Sequence, residues 1–271
     1  MIEPVVDLAQ IQALPGRVLL ADVRYYLDGR SGRAAYDGGH LPGAIFVDLH
    51  HDLAAPASPA EGRHPLPDPA FFSERMASLG LSDDDTLIAY DDAGGVMAAR
   101  LVWMLRSTGR DAALLDGGLT AYTGKLETSQ PQPSRGSFSV RPWPAERLAT
   151  IDEAASGRSG GSVVIDARPA DRFRGENETL DARPGHISGA HSVPCRDNVD
   201  ASGRFESPEV LRARFVAAGV TAGADVISYC GSGVTACHNL LALERAGFGP
   251  GRLYPGSWSQ YSHTDRPAET G

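Results

Sequence analysis

The sequence predicts an α/β protein made of two tandem copies of one unit, each a mostly parallel sheet flanked by helices. Three observations carry this. Short Val/Ile/Leu-rich runs alternate with helical stretches in both halves, the order that produces parallel strands joined by crossover helices. Four landmarks recur in the same order at nearly constant spacing. Asp22-Val23-Arg24 returns as Asp166-Ala167-Arg168 (offset 144), Gly39-His40 as Gly185-His186 (146), Tyr90-Asp91 as Tyr229-Cys230 (139), and Leu115–Tyr122 as Tyr254–Tyr261 (139). Chance rarely gives such agreement, so it marks a duplication. Between the copies, Lys125–Arg147 is rich in Pro and Ser. The expected division is residues 1–125, a linker at 126–146, and 147–271.

The first copy predicts a short helix over Val5–Leu14 and a buried strand over Gly16–Asp22. One or two helical turns follow at Ala34–His40, then a short strand at Ile45–Val47. Asp48–Pro67 lacks periodicity and is expected as a loop. Pro69–Gly80 opens on Pro and closes on Gly, the asymmetry of an amphipathic helix. Thr86–Tyr90 is a strand. Val96–Thr108 is a helix, with Met97, Leu101, Met104 and Leu105 at helical spacing. Ala112–Leu115 is the last strand, before a short helix ending near Tyr122. In the linker, Phe138, Val140 and Trp143 are expected to anchor the chain to the surface.

Composition narrows the function. The net charge of −9 over 271 residues argues against general nucleic-acid or anionic-membrane binding. The N-terminus, MIEPVVDLAQ, has no basic n-region and no long apolar h-region, so it does not resemble a signal peptide. No apolar run approaches membrane-spanning length. The expected compartment is the cytoplasm, and the expected state is a monomer. Nothing in the sequence calls for a metal or an organic cofactor.

Three cysteines are present, Cys195, Cys230 and Cys237. An odd, sparse set is not a secreted disulfide framework, and the spacing between Cys230 and Cys237 fits no common zinc site. Cys195 and Cys237 are expected to be small buried apolar residues. Cys230 differs. It ends the predicted strand Asp225–Tyr229 and opens Gly231-Ser232-Gly233-Val234-Thr235 before a predicted helix, Ala236–Ala246. A thiol there meets loop amides and a helix N-terminus, both of which stabilise an anion. In open parallel sheets, sites form beyond the carboxyl ends of the strands, where Cys230 lies.

Tyr36-x-x-x-His40-Leu-Pro-Gly-Ala44, Asp116-Gly-Gly and Tyr254-Pro-Gly-Ser-Trp258 resemble the signatures of the rhodanese superfamily of sulfurtransferases in its tandem two-domain form. The loop Cys230–Thr235 resembles that of the 3-mercaptopyruvate sulfurtransferases in particular. The resemblance implies that the C-terminal copy is catalytic. The N-terminal copy carries Asp91 where the cysteine would be, which implies a non-catalytic partner that helps to wall the cleft.

The resemblance also implies roles. Cys230 would attack a small sulfur donor, become a persulfide and pass its outer sulfur to cyanide or a thiol. The amides of Gly231, Gly233, Val234 and Thr235 would hold the sulfur anion. Thiosulfate enzymes of the family carry basic residues just after the cysteine. Here Gly231, Ser232 and Gly233 are neutral, which favours mercaptopyruvate, whose thiol proton must move; Ser232 would bond or relay it. Arg172 matches the arginine that binds the donor's anionic group. A second such arginine is expected about nine residues later, but the chain is shorter there, and Arg183 is the candidate. His64, in Gly62-Arg63-His64-Pro65, resembles a histidine sent from the non-catalytic domain to a serine–histidine–aspartate arrangement. The aspartate's direct counterpart is His50, leaving Asp48 or Asp52. Arg24 and Arg168, like His40 and His186, recur in both copies and are expected to be structural.

Two other classes compete. Phosphatases built on related cysteine loops need the form Cys-x5-Arg, and position 236 is Ala. A non-enzymatic sulfur-binding or regulatory module would suit the loss of the nucleophile at Asp91, but the intact Cys230 loop opposes it.

Overall fold

The computed structural model describes residues 1–271, the side chains of Arg158 and Ser159 excepted. The chain divides into two compact units. One comprises Met1–Ala55, Leu66–Trp143 and Asp200–Phe205; the other comprises Pro56–Pro65, Pro144–Val199 and Glu206–Gly271.

The first unit holds strands β1 (Val5–Val6), β2 (Val18–Asp22), β3 (Ile45–Phe46), β4 (Thr86–Tyr90) and β5 (Ala112–Leu115). They form one sheet in the order β1-β5-β4-β2-β3, every pair parallel. The second unit holds β6 (Ser162–Asp166), β7 (His186–Ile187), β8 (His191–Ser192), β9 (Asp225–Tyr229), β10 (Arg252–Leu253) and β11 (Ala268–Glu269). Its main sheet runs β10-β9-β6-β8, again parallel. β11 and β7 add a separate antiparallel pair. In each unit the central strands are nearly all buried: β4 is buried throughout and β9 from Val226 onward. That is why both are continuous apolar runs without polar alternation. Among the described residues no helix is long and apolar enough to cross a membrane.

Several boundaries differ from expectation for local reasons. Val5–Val6 forms β1 rather than the start of a helix, because Asp7 caps the helix at Leu8–Gln12 in a capping box with Gln10. Part of the expected loop Asp48–Pro67 is a short helix, Leu49–Asp52, whose first amides bond the Asp48 carboxylate. The helix expected from Val96 starts at Ala99, since the preceding residues wrap around Asp91. In the linker, Phe138 and Trp143 pack against Phe72, and Trp143 Nε1 donates to the Pro67 carbonyl. Val140, expected as a third anchor, is 59% exposed.

The duplication extends to single hydrogen bonds. Arg24 pairs with Asp22 and donates to the Gly39 carbonyl; Arg168 does the same with Asp166 and Gly185. The Tyr90 hydroxyl accepts the Leu41 amide, as that of Tyr229 accepts the Ile187 amide. His40 stacks on Tyr36 and His186 on Phe173. The first two of these three sets tie the strand ends to the His-containing turn, and the third packs its histidine. Their symmetry marks them as scaffold.

The copies part at the strand end. In the first unit, the Asp91 carboxylate accepts the amides of Ala93, Gly95, Met97 and Ala98 at 2.7–3.0 Å. Burial pushes this carboxyl above its ordinary value, against the pull of those four donors. Removing it leaves four amides facing a small void. Asp91→Ala is therefore expected to destabilise the protein by roughly 3 kcal/mol, measured by denaturant unfolding.

Candidate active site

The second unit builds the same turn around sulfur. Cys230 follows β9 directly. Its Sγ accepts the amides of Ser232 at 3.4 Å and Gly233 at 3.1 Å, with Cys230 itself 2% exposed. Gly233 has φ +73, and a Cβ there would lie 2.5 Å from the Pro255 carbonyl oxygen, so only glycine closes the turn. Val234 is buried behind it. Thr235 leads into the helix Ala236–Arg245 without capping it with its side chain. The sulfur thus sits at the mouth of a helix N-terminus, where amides and dipole favour an anion.

Ser257 holds the loop from below. It is fully buried with φ +52, a left-handed conformation costly for a residue with a Cβ. Its Oγ accepts the Cys230 amide at 3.1 Å and donates to the Tyr254 carbonyl. The amides of Trp258 and Ser259 donate to the carbonyls of Cys230 and Gly231. In the first unit the equivalent residue is Gly118, at φ +54.

His64 belongs to the segment 56–65, which is part of the second unit. Its Nδ1 lies 2.8 Å from Ser232 Oγ, so these two expected residues do meet. Gly62, Arg63 and Ala60 fasten the segment to the turn around Ser257. Gly62 lies close under the Gly256 carbonyl, the Arg63 amide donates to Ser259 Oγ, and Gln260 donates to the Ala60 carbonyl. The candidate aspartates each hold local partners. Asp48 caps its helix, and Asp52 pairs with Arg75 and accepts the Asp48 amide. His50 bonds the Tyr25 hydroxyl.

Arg172 stands beside the loop in a charged cluster. Its Nη2 donates to Glu178 and, at 2.8 Å, to Asp181. Arg63 pairs with the same Asp181 through Nη1. Glu178 also receives Arg168 and the amides of Leu180 and Asp181. Burial alone would raise the Glu178 carboxyl; these amides and Arg172 more than offset it and hold it below its ordinary 4.5. Arg183 does not join the cluster. Its guanidinium lies over the rings of Trp258 and Tyr261 and donates to the Arg266 carbonyl, so the second arginine beside Arg172 is Arg63. A pocket of about 250 Å³ opens next to Arg63 and Asp181. Arg63 was visible in the sequence next to His64, but nothing in its spacing from Arg172 links the two. Ser257 lies in the Tyr254–Trp258 signature, which does not say what it does, and Glu178 and Asp181 carried no signal.

Cys237 packs in the helix, its sulfur against the Gly233 carbonyl. Cys195 is buried near the loop, and burial pushes its thiol up to about 12. All three cysteines are free. Among the described residues no group of three or more His, Cys, Asp or Glu is placed to hold a metal ion.

A duplicated parallel sheet with an anion cradle at the end of a central strand defines the class, and comparison with known proteins agrees. The model of the rhodanese-like domain matches residues 7–125 and 150–264. A Pseudomonas aeruginosa protein named "Probable 3-mercaptopyruvate sulfurtransferase" is 42% identical, over 94% of this chain and 93% of its own. A thiosulfate sulfurtransferase of Cricetulus griseus is 34% identical, over 94% and 88%. The structure of 3-mercaptopyruvate sulfurtransferase from Leishmania major superposes with a TM-score of 0.85 at 31% identity, over 98% of this chain and 75% of that one. The chain belongs to the rhodanese family, in its tandem form, and is a sulfurtransferase.

Glu178 gives the site a pH signature. Its folded value lies below 4.5, so its stabilisation is complete above pH 4.5 and is lost as the pH falls through the folded value. Glu178→Gln is expected to cost about 2 kcal/mol at pH 7. The gap to the wild type should narrow in thermal melts as the pH falls through that folded value.

Proposed function

We propose that the protein transfers sulfur from 3-mercaptopyruvate, through a persulfide on Cys230, to cyanide or a thiol. The observation that carries this reading is the Cys230 sulfur on two loop amides with Ser232, one residue beyond Gly231, bonded to His64 at 2.8 Å.

The chemistry balances on these groups. The Cys230 thiolate attacks the donor sulfur and an S–S bond forms. The C–S bond breaks, and its electron pair goes to the donor's C3. The proton of the donor thiol ends on that carbon, giving pyruvate and the Cys230 persulfide anion. In this reading Ser232 and His64, 2.8 Å apart, carry that proton. Cyanide then attacks the outer sulfur, the S–S bond breaks, and thiocyanate leaves with Cys230 restored as a thiolate. Asp91 indicates how the loop would hold the longer anion. Its outer oxygen bonds Met97 and Ala98, whose counterparts, Thr235 and Ala236, carry the amides nearest an outer sulfur. The local charge fits a monoanionic donor, because Arg63, Arg168 and Arg172 are balanced by Asp166, Glu178 and Asp181. The 147–271 half supplies the nucleophile, and the 1–125 half has Asp91 in the equivalent place and contributes the 56–65 segment that carries His64. The cytoplasm, where its cysteines stay reduced, is the compartment this reading carries, with a single chain as the working unit.

Thiosulfate is the second donor to consider, given the Cricetulus griseus relative. Its transfer releases sulfite and moves no proton. Ser232→Ala should therefore lower kcat with mercaptopyruvate by about 100-fold and change turnover of thiosulfate far less.

Steady-state thiocyanate formation from each donor tests the function. Mercaptopyruvate should give the higher kcat/KM, and Cys230→Ser should give no product. Thiocyanate from neither donor overturns the reading. With cyanide omitted, mass spectrometry of digests should place one added sulfur atom on Cys230, and none on Cys195, whose thiol stays protonated below about pH 12.

A further inference from the structure

We propose that Arg63 is a donor-binding residue of this enzyme, pairing with Arg172 to grip the donor's carboxylate above Gly231. The inference rests on the function proposed above. Three observations support it.

The first is convergence. A Cβ placed on Gly231 would lie 2.8 Å from Arg63 Nη2 and 3.6 Å from Arg172 Nη1. Both guanidiniums therefore face the residue after the nucleophile, from different parts of the chain. The second is division of labour within each guanidinium. Asp181 takes Arg63 through Nη1 and Arg172 through Nη2. The nitrogens nearest Gly231 are the other two, Arg63 Nη2 and Arg172 Nη1. Asp181, with its side chain 1% exposed, thus clamps one edge of each arginine and turns the remaining edges toward the loop. Two fixed N–H donors on one side suit the two oxygens of a carboxylate. The third is anchoring. Arg63 sits between Gly62 and His64, in a segment whose backbone bonds the Ser257 turn at Ser259 and Gln260. The same few residues that bring His64 to Ser232 therefore bring Arg63 to Gly231. Order in that segment is shared, so placing the second cation costs little additional entropy.

The enzyme supplies this arginine from the 56–65 segment, where the sequence pointed to Arg183. The donor's carboxylate would lie over Gly231, and its sulfur-bearing carbon would extend toward Cys230 and Ser232. A pocket of about 250 Å³ lies beside Arg63 and Asp181, lined also by Gly62, Ser259 and His263.

The test compares Arg63→Gln, Arg63→Lys and Arg183→Gln with the wild type, using both kinetics and pyruvate as a binding probe. Pyruvate carries the carboxylate without the sulfur, so its affinity, measured by calorimetry on the resting enzyme, does not depend on turnover. Arg63→Gln should weaken pyruvate and raise KM for mercaptopyruvate by about tenfold, with kcat changed less than KM. Arg63→Lys should recover part of the affinity, and Arg183→Gln should leave pyruvate binding as in the wild type. Unchanged pyruvate affinity in folded Arg63→Gln overturns the proposal, as does a loss of affinity in Arg183→Gln equal to that in Arg63→Gln. Circular dichroism and melting temperature establish that the variants fold. A wild type that binds pyruvate through Arg63 but forms no thiocyanate would instead count against the function and leave the site assignment standing.

Discussion

A ring of backbone amides at the end of a central strand must be filled by a hydrogen-bond acceptor, and the rest of each unit serves that requirement. Inward-turned N–H groups without an acceptor are costly to bury. The first unit fills its ring with the Asp91 carboxylate, which takes four amides. The second fills it with the Cys230 sulfur, which takes two. One fold thus carries a carboxylate in one cradle and a thiol sulfur in the other. The difference lies in a single residue type and in a loop one residue shorter in the second unit.

The supports beneath the cradle show what is shared and what is specialised. The Asp–Arg–Gly tie, the tyrosine on the His turn and the stacked histidine are the same in both units. They set the strand end and are indifferent to the chemistry above it. Asymmetry begins at the left-handed residue under the loop, where Gly118 is replaced by Ser257. There the second unit accepts backbone strain and gains a hydroxyl that holds the Cys230 amide. It continues in Glu178 and Asp181, which gather Arg168, Arg172 and Arg63.

The parts of the fold legible in sequence were those written in local pattern or repeated. The strands Thr86–Tyr90 and Asp225–Tyr229 are buried on both faces, so their apolar runs are unbroken. Val5–Val6 was misplaced because two β-branched residues before a capped helix look like its first turn; only pairing with β5 makes them a strand. Val140 looked like an anchor because hydrophobicity does not say which face of an extended linker meets the surface. At the site, Cys230 and Ser232 were legible because one short loop contains both. His64 was legible through resemblance alone. Arg63 was not, since it stands far along the chain from Arg172 and the two are joined only through Asp181.

The sequence by itself determined the duplication, the parallel α/β class, the thiol proposed as the nucleophile and the half of the chain that has an aspartate in its place. These follow from periodicity, spacing and side-chain chemistry, all properties of neighbouring residues. Only the tertiary structure decided which cations stand beside the nucleophile. Arg183 is spent on the Trp258 and Tyr261 rings, while Arg63 comes to Gly231 because a buried carboxylate binds it to Arg172. An ion pair reaches only a few ångströms, and distance along the chain does not reveal which charges the fold will bring that close.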